Sequence, residues 1–348
     1  MTHQIARDSL IRAERIAHDL VGRSFLKEQD FTVAEWGYLL DLAQRLKLEH
    51  VIGMKRARLN GANLALIFEK ASTGTRCAFE VAAHHQGAHV TQLDLEHSHI
   101  GRTASIKDTA RELSRMYDGI EYRGSSQATV ELLARHADVP VWNGLTDTWH
   151  PTQSLGDMFT MREATGKDDH EISFAYCGDA RTNVANSLLV AGAMRGMDVR
   201  MVAPEKLWNP PAVVATARDI AAQTGARITH TTDPAAGVAG VDIVCADSWV
   251  PLESPVPTWK DRIRLLEPYR IDARLLELTG NPDVKVMHRL PAVHNRECGV
   301  GEQLHAEHGL TALAVTEEVF ESSHSIVFDQ AENRMHTIEA VLVATLGS

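Results

Sequence analysis

Three hydroxyl side chains, Ser72, Thr73 and Thr75, stand within four positions of the chain, with Gly74 between the threonines and Arg76 directly after. An apolar run of strand length, 64–68, precedes them, and 75–86 sets Cys77, Phe79, Val81 and Ala82 among helix formers. The cluster therefore opens a helix. First-turn N–H groups have no intrahelical partner, and the helix dipole adds roughly half a positive charge at that end. Hydroxyls added to those donors make a seat for a phosphate without a Walker loop. An ordinary Ser/Thr cap uses the same residue types, so the reading depends on what else arrives at this mouth.

Three further segments lie just past a strand or at a helix start, where open α/β sheets bind ligands. Gly119-Ile120-Glu121-Tyr122-Arg123-Gly124 ends a strand with a guanidinium beside glycine. Such an Arg is either a solvated rim charge or a two-pronged grip on phosphate oxygens. In His150-Pro151-Thr152-Gln153, Pro at the first helical position leaves His150 at the cap and Gln153 one turn on, both expected to face outward. Met287-His288-Arg289-Leu290-Pro291 ends a later strand.

Alternating elements must position these groups. Strands are expected at 64–68, 89–93, 119–122 and 139–143, with helices at 75–86, 105–116, 126–137 and 152–164. After the polar stretch 165–169 the alternation restarts. Strands 172–177, 198–203, 227–231, 241–246 and 284–287 are interleaved with helices 183–194 and 211–224. Two successive βα runs imply an α/β chain of two domains, each a parallel sheet covered by helices, with a crevice between them. The apolar segment 334–346 is expected to pack back on the first domain and link the halves, and Ile11, Ile16 and Leu20 have helical spacing near the start.

At 348 residues the chain exceeds one ordinary core, which agrees with two domains. Its net charge of −11 argues against nucleic acid or an anionic membrane as partner. An acidic protein that handles phosphate must concentrate its cations locally. Cys77, Cys177, Cys245 and Cys298 show no C-x-x-C spacing and read as buried thiols in a reducing cytosol. No apolar stretch approaches the ~18 residues of a membrane span, and the charged N-terminus leaves no room for a signal-peptide core. A cytoplasmic protein is expected.

Taken in order along the chain, these segments resemble the transcarbamylases, and within them the ornithine carbamoyltransferase branch. Further runs carry the likeness: Phe68-Glu69-Lys70, Ser105-Ile106-Lys107-Asp108-Thr109-Ala110-Arg111, Val141-Trp142-Asn143-Gly144-Leu145-Thr146-Asp147 and Phe328-Asp329-Gln330-Ala331-Glu332-Asn333-Arg334-Met335-His336-Thr337. It extends from about residue 25 to 346.

The resemblance implies a carbamoyl phosphate domain, 1–150 plus 334–348, and an amine-substrate domain, 151–333, joined by two interdomain helices. Carbamoyl phosphate would give its carbamoyl group to the side-chain amine of ornithine or a related diamino acid. That reaction needs oxyanion donors, a phosphate cradle and enforced proximity, without a covalent nucleophile. By resemblance, Ser72, Thr73 and Thr75 hold the phosphate, and Thr75, Arg123 and His150 polarise the carbonyl oxygen. Gln153 and the backbone carbonyl of Leu290 orient the carbamoyl NH₂, and Arg334 contacts the same substrate. Asn183 would bind the acceptor's α-carboxylate and Asp247, which otherwise reads as a turn cap, its α-ammonium. No metal or organic cofactor is required. The family forms trimers whose active sites lie between subunits, so a homotrimer is expected.

Departures gather at the site. The family usually reads Ser-Thr-Arg-Thr-Arg where this chain has Gly74, and His-Cys-Leu-Pro where it has Arg289. Its Ser-Met-Gly loop is replaced by Pro251-Leu252-Glu253, and the Gln and Lys of its inter-subunit loop by His99 and Thr103. A charge-assisted contact of about 1.5–3 kcal/mol is lost at Gly74. Arg289 then partly replaces it, grips an acceptor carboxylate, or points to solvent. Pro251 removes an N–H from the loop that reads the amine, so a different diamino acid such as 2,3-diaminopropionate competes with ornithine. The His97-x-His99 pair lacks acidic or sulfur partners at ligand spacing and reads as a substrate-contacting loop rather than a metal site. Gly74 and Thr103 favour a non-catalytic paralogue, against which stand Thr75, Arg123, His150 and Gln153. A dinucleotide enzyme is set aside because no G-x-G-x-x-G occurs.

Overall fold

The computed structural model describes residues 2–70, 72–94, 100, 103–250 and 255–347. The chain divides into Met1–Phe159 with Glu332–Ser348, called unit 1, and Thr160–Ala331, unit 2.

Unit 1 runs α1 (Thr2–Leu20), α2 (Val33–Val51), β1 (Asn63–Phe68), α3 (Thr73–His85), β2 (His89–Asp94), α4 (Ile106–Leu113), β3 (Gly119–Arg123), α5 (Gln127–His136) and β4 (Val141–Leu145). It ends in the start of α6 (Pro151–Thr165) and takes back most of α14 (Val327–Leu346). The four strands are parallel in the order β2-β1-β3-β4. Every β1 residue after Asn63 is buried, as both-face coverage of a parallel strand demands. Ala65, Ile67, Ile120, Tyr122, Val130 and Val141 share one core.

Unit 2 holds β5 (Ser173–Cys177), α7 (Asn183–Met194), β6 (Asp198–Val202), α8 (Pro211–Thr224), β7 (Arg227–Thr231), α9 (Pro234–Val238) and β8 (Ile243–Ala246). Then come α10 (Lys260–Leu266), α11 (Ala273–Thr279), β9 (Lys285–His288), α12 (Gly299–His308) and α13 (Glu317–Phe320). Its sheet is also parallel, in the order β7-β6-β5-β8-β9. From Val184 to Met194, α7 is buried on every face, the pattern of a helix enclosed in an α/β core.

The expected two-sheet α/β fold is the one observed, and α6 and α14 carry the chain from one unit to the other. Helix α2 went unread, although Thr32 and Glu35 form a full capping box at its start. The 334–346 segment is the later part of α14, and Thr345 ties it into unit 1 by accepting from Gly22 N–H and Trp142 Nε1–H. The cysteine expectation needs correction. Cys177 and Cys245 are buried, but Cys77, in the opening turns of α3, and Cys298, the N-cap of α12, are exposed.

Candidate active site

In unit 1, β1, β3 and β4 are adjacent and parallel, so the segments after them reach one edge of the sheet. Ser72 is the N-cap of α3 and accepts from the Thr75 N–H at 3.2 Å. Its hydroxyl in turn donates to Thr75 Oγ1 at 3.1 Å. Two guanidiniums reach the same oxygen: Arg123 Nη1 donates at 3.0 Å and Arg334 Nη2 at 2.6 Å. Thr75 is fully buried, whereas Thr73 and Gly74 are exposed beside it. A cavity of about 500 Å³ opens here, lined among others by Phe68, Glu69, Ser72, Thr73, Arg76 and Cys77.

Supports fix each of these groups. Glu69 accepts from Tyr122 Oη–H and from the Ser125 N–H at 2.9 Å, bracing the turn after β3. A Cβ at Gly124 would lie 2.3 Å from Tyr122 Oη, so only glycine fits that turn. Burial comes first in pushing the Tyr122 phenol far above its usual range, and Glu69 adds to it. At Gly156 a Cβ would come within 3.0 Å of Arg334 Cα, so this glycine admits the close approach of α14 that aims Arg334.

His150 and Gln153, expected to face outward from the strand's carboxyl end, are both buried, as is the start of α6 around them. The His150 carbonyl accepts from the N–H groups of Gln153 and Ser154, and the Thr152 hydroxyl lies 3.4 Å from His150 Nδ1. Gln153 Nε2 donates to Asp157 at 2.7 Å.

In unit 2, Asn183 is the first residue of α7, its Oδ1 accepting from the Val184 N–H at 2.8 Å; Thr182 is the cap. Asp247 follows β8 and is buried. It accepts from the Ser248 N–H at 2.7 Å and from Arg289 Nε at 3.1 Å. A solvent-pointing Arg289 is thus overturned, since a buried carboxylate at the end of the neighbouring strand holds it. His288, enclosed beside this pair, is pushed down to about 4, by burial above all, so its imidazole is neutral at pH 7. Leu290 is partly exposed at the end of this segment. Asp179, in the turn after β5, pairs with Arg181 and Arg262. His99, Pro251 and Leu252, together with His97 and Glu253, lie outside the described residues.

Sequence reading passed over Glu121, Gly144 and Asp157. Asp157 had a signal, four residues after Gln153 on one helix face. Glu121 had one too, an acid inside a strand whose neighbours are Ile120 and Tyr122.

A helix mouth that gathers two guanidiniums and hydroxyls at the edge of a parallel sheet is suited to a phosphorylated substrate. The description "aspartate/ornithine carbamoyltransferase, carbamoyl-P binding domain" matches residues 23–163, and the companion "Asp/Orn binding domain" matches 170–345. The chain belongs to the aspartate/ornithine carbamoyltransferase family and is a carbamoyltransferase. Among solved structures it is similar to the ornithine carbamoyltransferase of Pyrococcus furiosus, with TM-score 0.85 and 36% identity over 94% of this chain and 98% of that one. The enzyme of Gloeobacter violaceus matches at TM-score 0.79 and 36% identity, over 94% and 99%. That of Thermus thermophilus matches at 0.78 and 34%, over 93% and 99%.

Proposed function

We propose that this carbamoyltransferase moves the carbamoyl group of carbamoyl phosphate onto the side-chain amine of ornithine or a close diamino acid, giving citrulline or its ureido analogue plus phosphate. The observation that carries this reading is the convergence of Ser72, Arg123 and Arg334 on the Thr75 hydroxyl at the mouth of α3. Ser72, Thr73, the first-turn N–H groups beside Gly74, and Arg334 hold the phosphate. Thr75, Arg123 and His150 meet the negative charge that grows on the carbonyl oxygen as the neutral amine attacks. The Gln153 amide oxygen and the Leu290 carbonyl accept from the carbamoyl NH₂ and fix its plane. Asn183 takes the acceptor's α-carboxylate and Asp247 its α-ammonium. By resemblance, His99, Pro251 and Leu252 are further substrate contacts.

The Arg289–Asp247 pair favours a second reading within the same chemistry. A carboxylate already holding a guanidinium attracts an α-ammonium less, and Arg289 brings a cation that suits an acceptor with a differently placed anionic group, such as a shorter diamino acid. The resemblance supports a homotrimer, which light scattering on the purified chain would check, and a cytoplasmic location. No helix among the described residues is long and apolar enough to cross a membrane.

The test is phosphate release from carbamoyl phosphate with ornithine, 2,4-diaminobutyrate, 2,3-diaminopropionate, lysine and putrescine, with mass detection of the ureido product. A ureido acid from ornithine or a shorter homologue is expected. Turnover with none of the five would overturn the assignment.

A further inference from the structure

Glu121 lies on β3 two residues before Arg123 and is fully buried. Neither carboxyl oxygen has a hydrogen-bond partner among the described residues. The space it fills exists because residue 144 is glycine: a Cβ there would sit 1.8 Å from Glu121 Oε1 and 3.2 Å from the Thr75 methyl carbon. The carboxyl and the cradle threonine therefore flank the same glycine. The charged groups that face Glu121 are Arg123 on its own strand and Arg334 on α14. The adjoining strands place Leu66 and Trp142 alongside it, and α3 brings Thr75, so neither adds an acid or a base. An ionised carboxylate here draws on the same two guanidiniums that a phosphate needs.

We propose that Glu121 is a positioning residue that must be neutral for the cradle to take a phosphate, so that anion binding at Thr75 is coupled to retention or uptake of one proton at Glu121. The proposal rests on the phosphate-cradle reading above. Burial, the dominant influence, holds the carboxyl well above the usual range against the pull of both guanidiniums, so the site favours the neutral acid. A bound phosphate raises it further, and by reciprocity ionisation of Glu121 weakens phosphate binding. Because the residue acts through Arg123 and Arg334, its signature is a pH profile rather than a fixed loss.

Calorimetric titration of carbamoyl phosphate and of inorganic phosphate into the wild type and Glu121→Gln, across a wide pH range, tests this. Below the pKa of Glu121 the two proteins should bind alike. Above it, the wild type should weaken relative to Glu121→Gln by about tenfold per pH unit. The ratio between variants cancels the ligands' own titration. In that range the wild type should take up protons on binding, read as heats that vary with buffer ionisation enthalpy, and the variant should not. The KM for carbamoyl phosphate should follow the same split while kcat does not. Infrared spectroscopy of the wild type at neutral pH, which needs no folded variant, should show a protonated-carboxyl band. Parallel profiles, or no such band, would overturn the proposal. Failure of the wild type to bind either phosphate even at acidic pH would instead overturn the cradle.

Discussion

Arg334 Nη2 donates to Thr75 Oγ1 at 2.6 Å, joining two residues 259 positions apart in the sequence. The contact makes the end of the chain part of the mouth of α3. Thr75→Val keeps the shape but removes the oxygen on which Ser72, Arg123 and Arg334 converge. Losing one preorganised polar group of this kind costs about 10²-fold in kcat. Steady-state kinetics should show that fall with circular dichroism unchanged, and an active Thr75→Val enzyme would contradict the role.

Gly74 stands where the family resemblance leads one to expect an Arg. A Cβ at this position meets Arg334 Nη1 at 3.9 Å, an ordinary contact, so a longer side chain is admitted. Gly74→Arg should lower the KM for carbamoyl phosphate about tenfold, within the range of one charge-assisted hydrogen bond. A raised or unchanged KM would mean that the existing guanidiniums already saturate the phosphate.

Arg289 occupies Asp247. Arg289→Cys releases the carboxylate, so the KM for ornithine should fall about tenfold while that for carbamoyl phosphate stays put. If both constants are unchanged, the pair has no part in acceptor binding.

Asp169 is buried against Arg162 and Arg195 in unit 2. Burial alone would raise its pKa, but hydrogen bonds and charge from the two guanidiniums outweigh it and hold the carboxyl below its ordinary 3.8. With a folded value below the unfolded one, the stabilisation is complete above the unfolded pKa and lost as pH falls through the folded one. Asp169→Asn should therefore cost about 3 kcal/mol in urea melts at pH 7, with the gap to wild type closing in strong acid. A gap independent of pH would point to packing instead.

Strand and helix order was legible because the inner parallel strands are short apolar runs, the edge strands β2 and β7 alternate, and each helix keeps its own period; α7, α8 and β7 fall at the expected boundaries. Helix α2 was missed because its apolar residues are spread and only the Thr32–Glu35 box marks it. Ser72, Thr75 and Arg123 were legible because strand ends and helix starts advertise them. The grip of Arg334 on Thr75, the glycine clearances at 144 and 156, and the pairing of Asp247 with Arg289 were not. They depend on which side chains the sheet order makes neighbours, and nothing in local spacing encodes that.

The most direct test is a single-turnover assay with carbamoyl phosphate labelled at the carbonyl carbon, run with ornithine and the shorter diamino acids on the wild type and Arg123→Ala. Label should pass to the amine in equal amount to the phosphate released, and Arg123→Ala should slow the transfer at least about 10²-fold. Phosphate released without a labelled ureido acid, or equal rates in the two proteins, would contradict carbamoyl transfer at the mouth of α3.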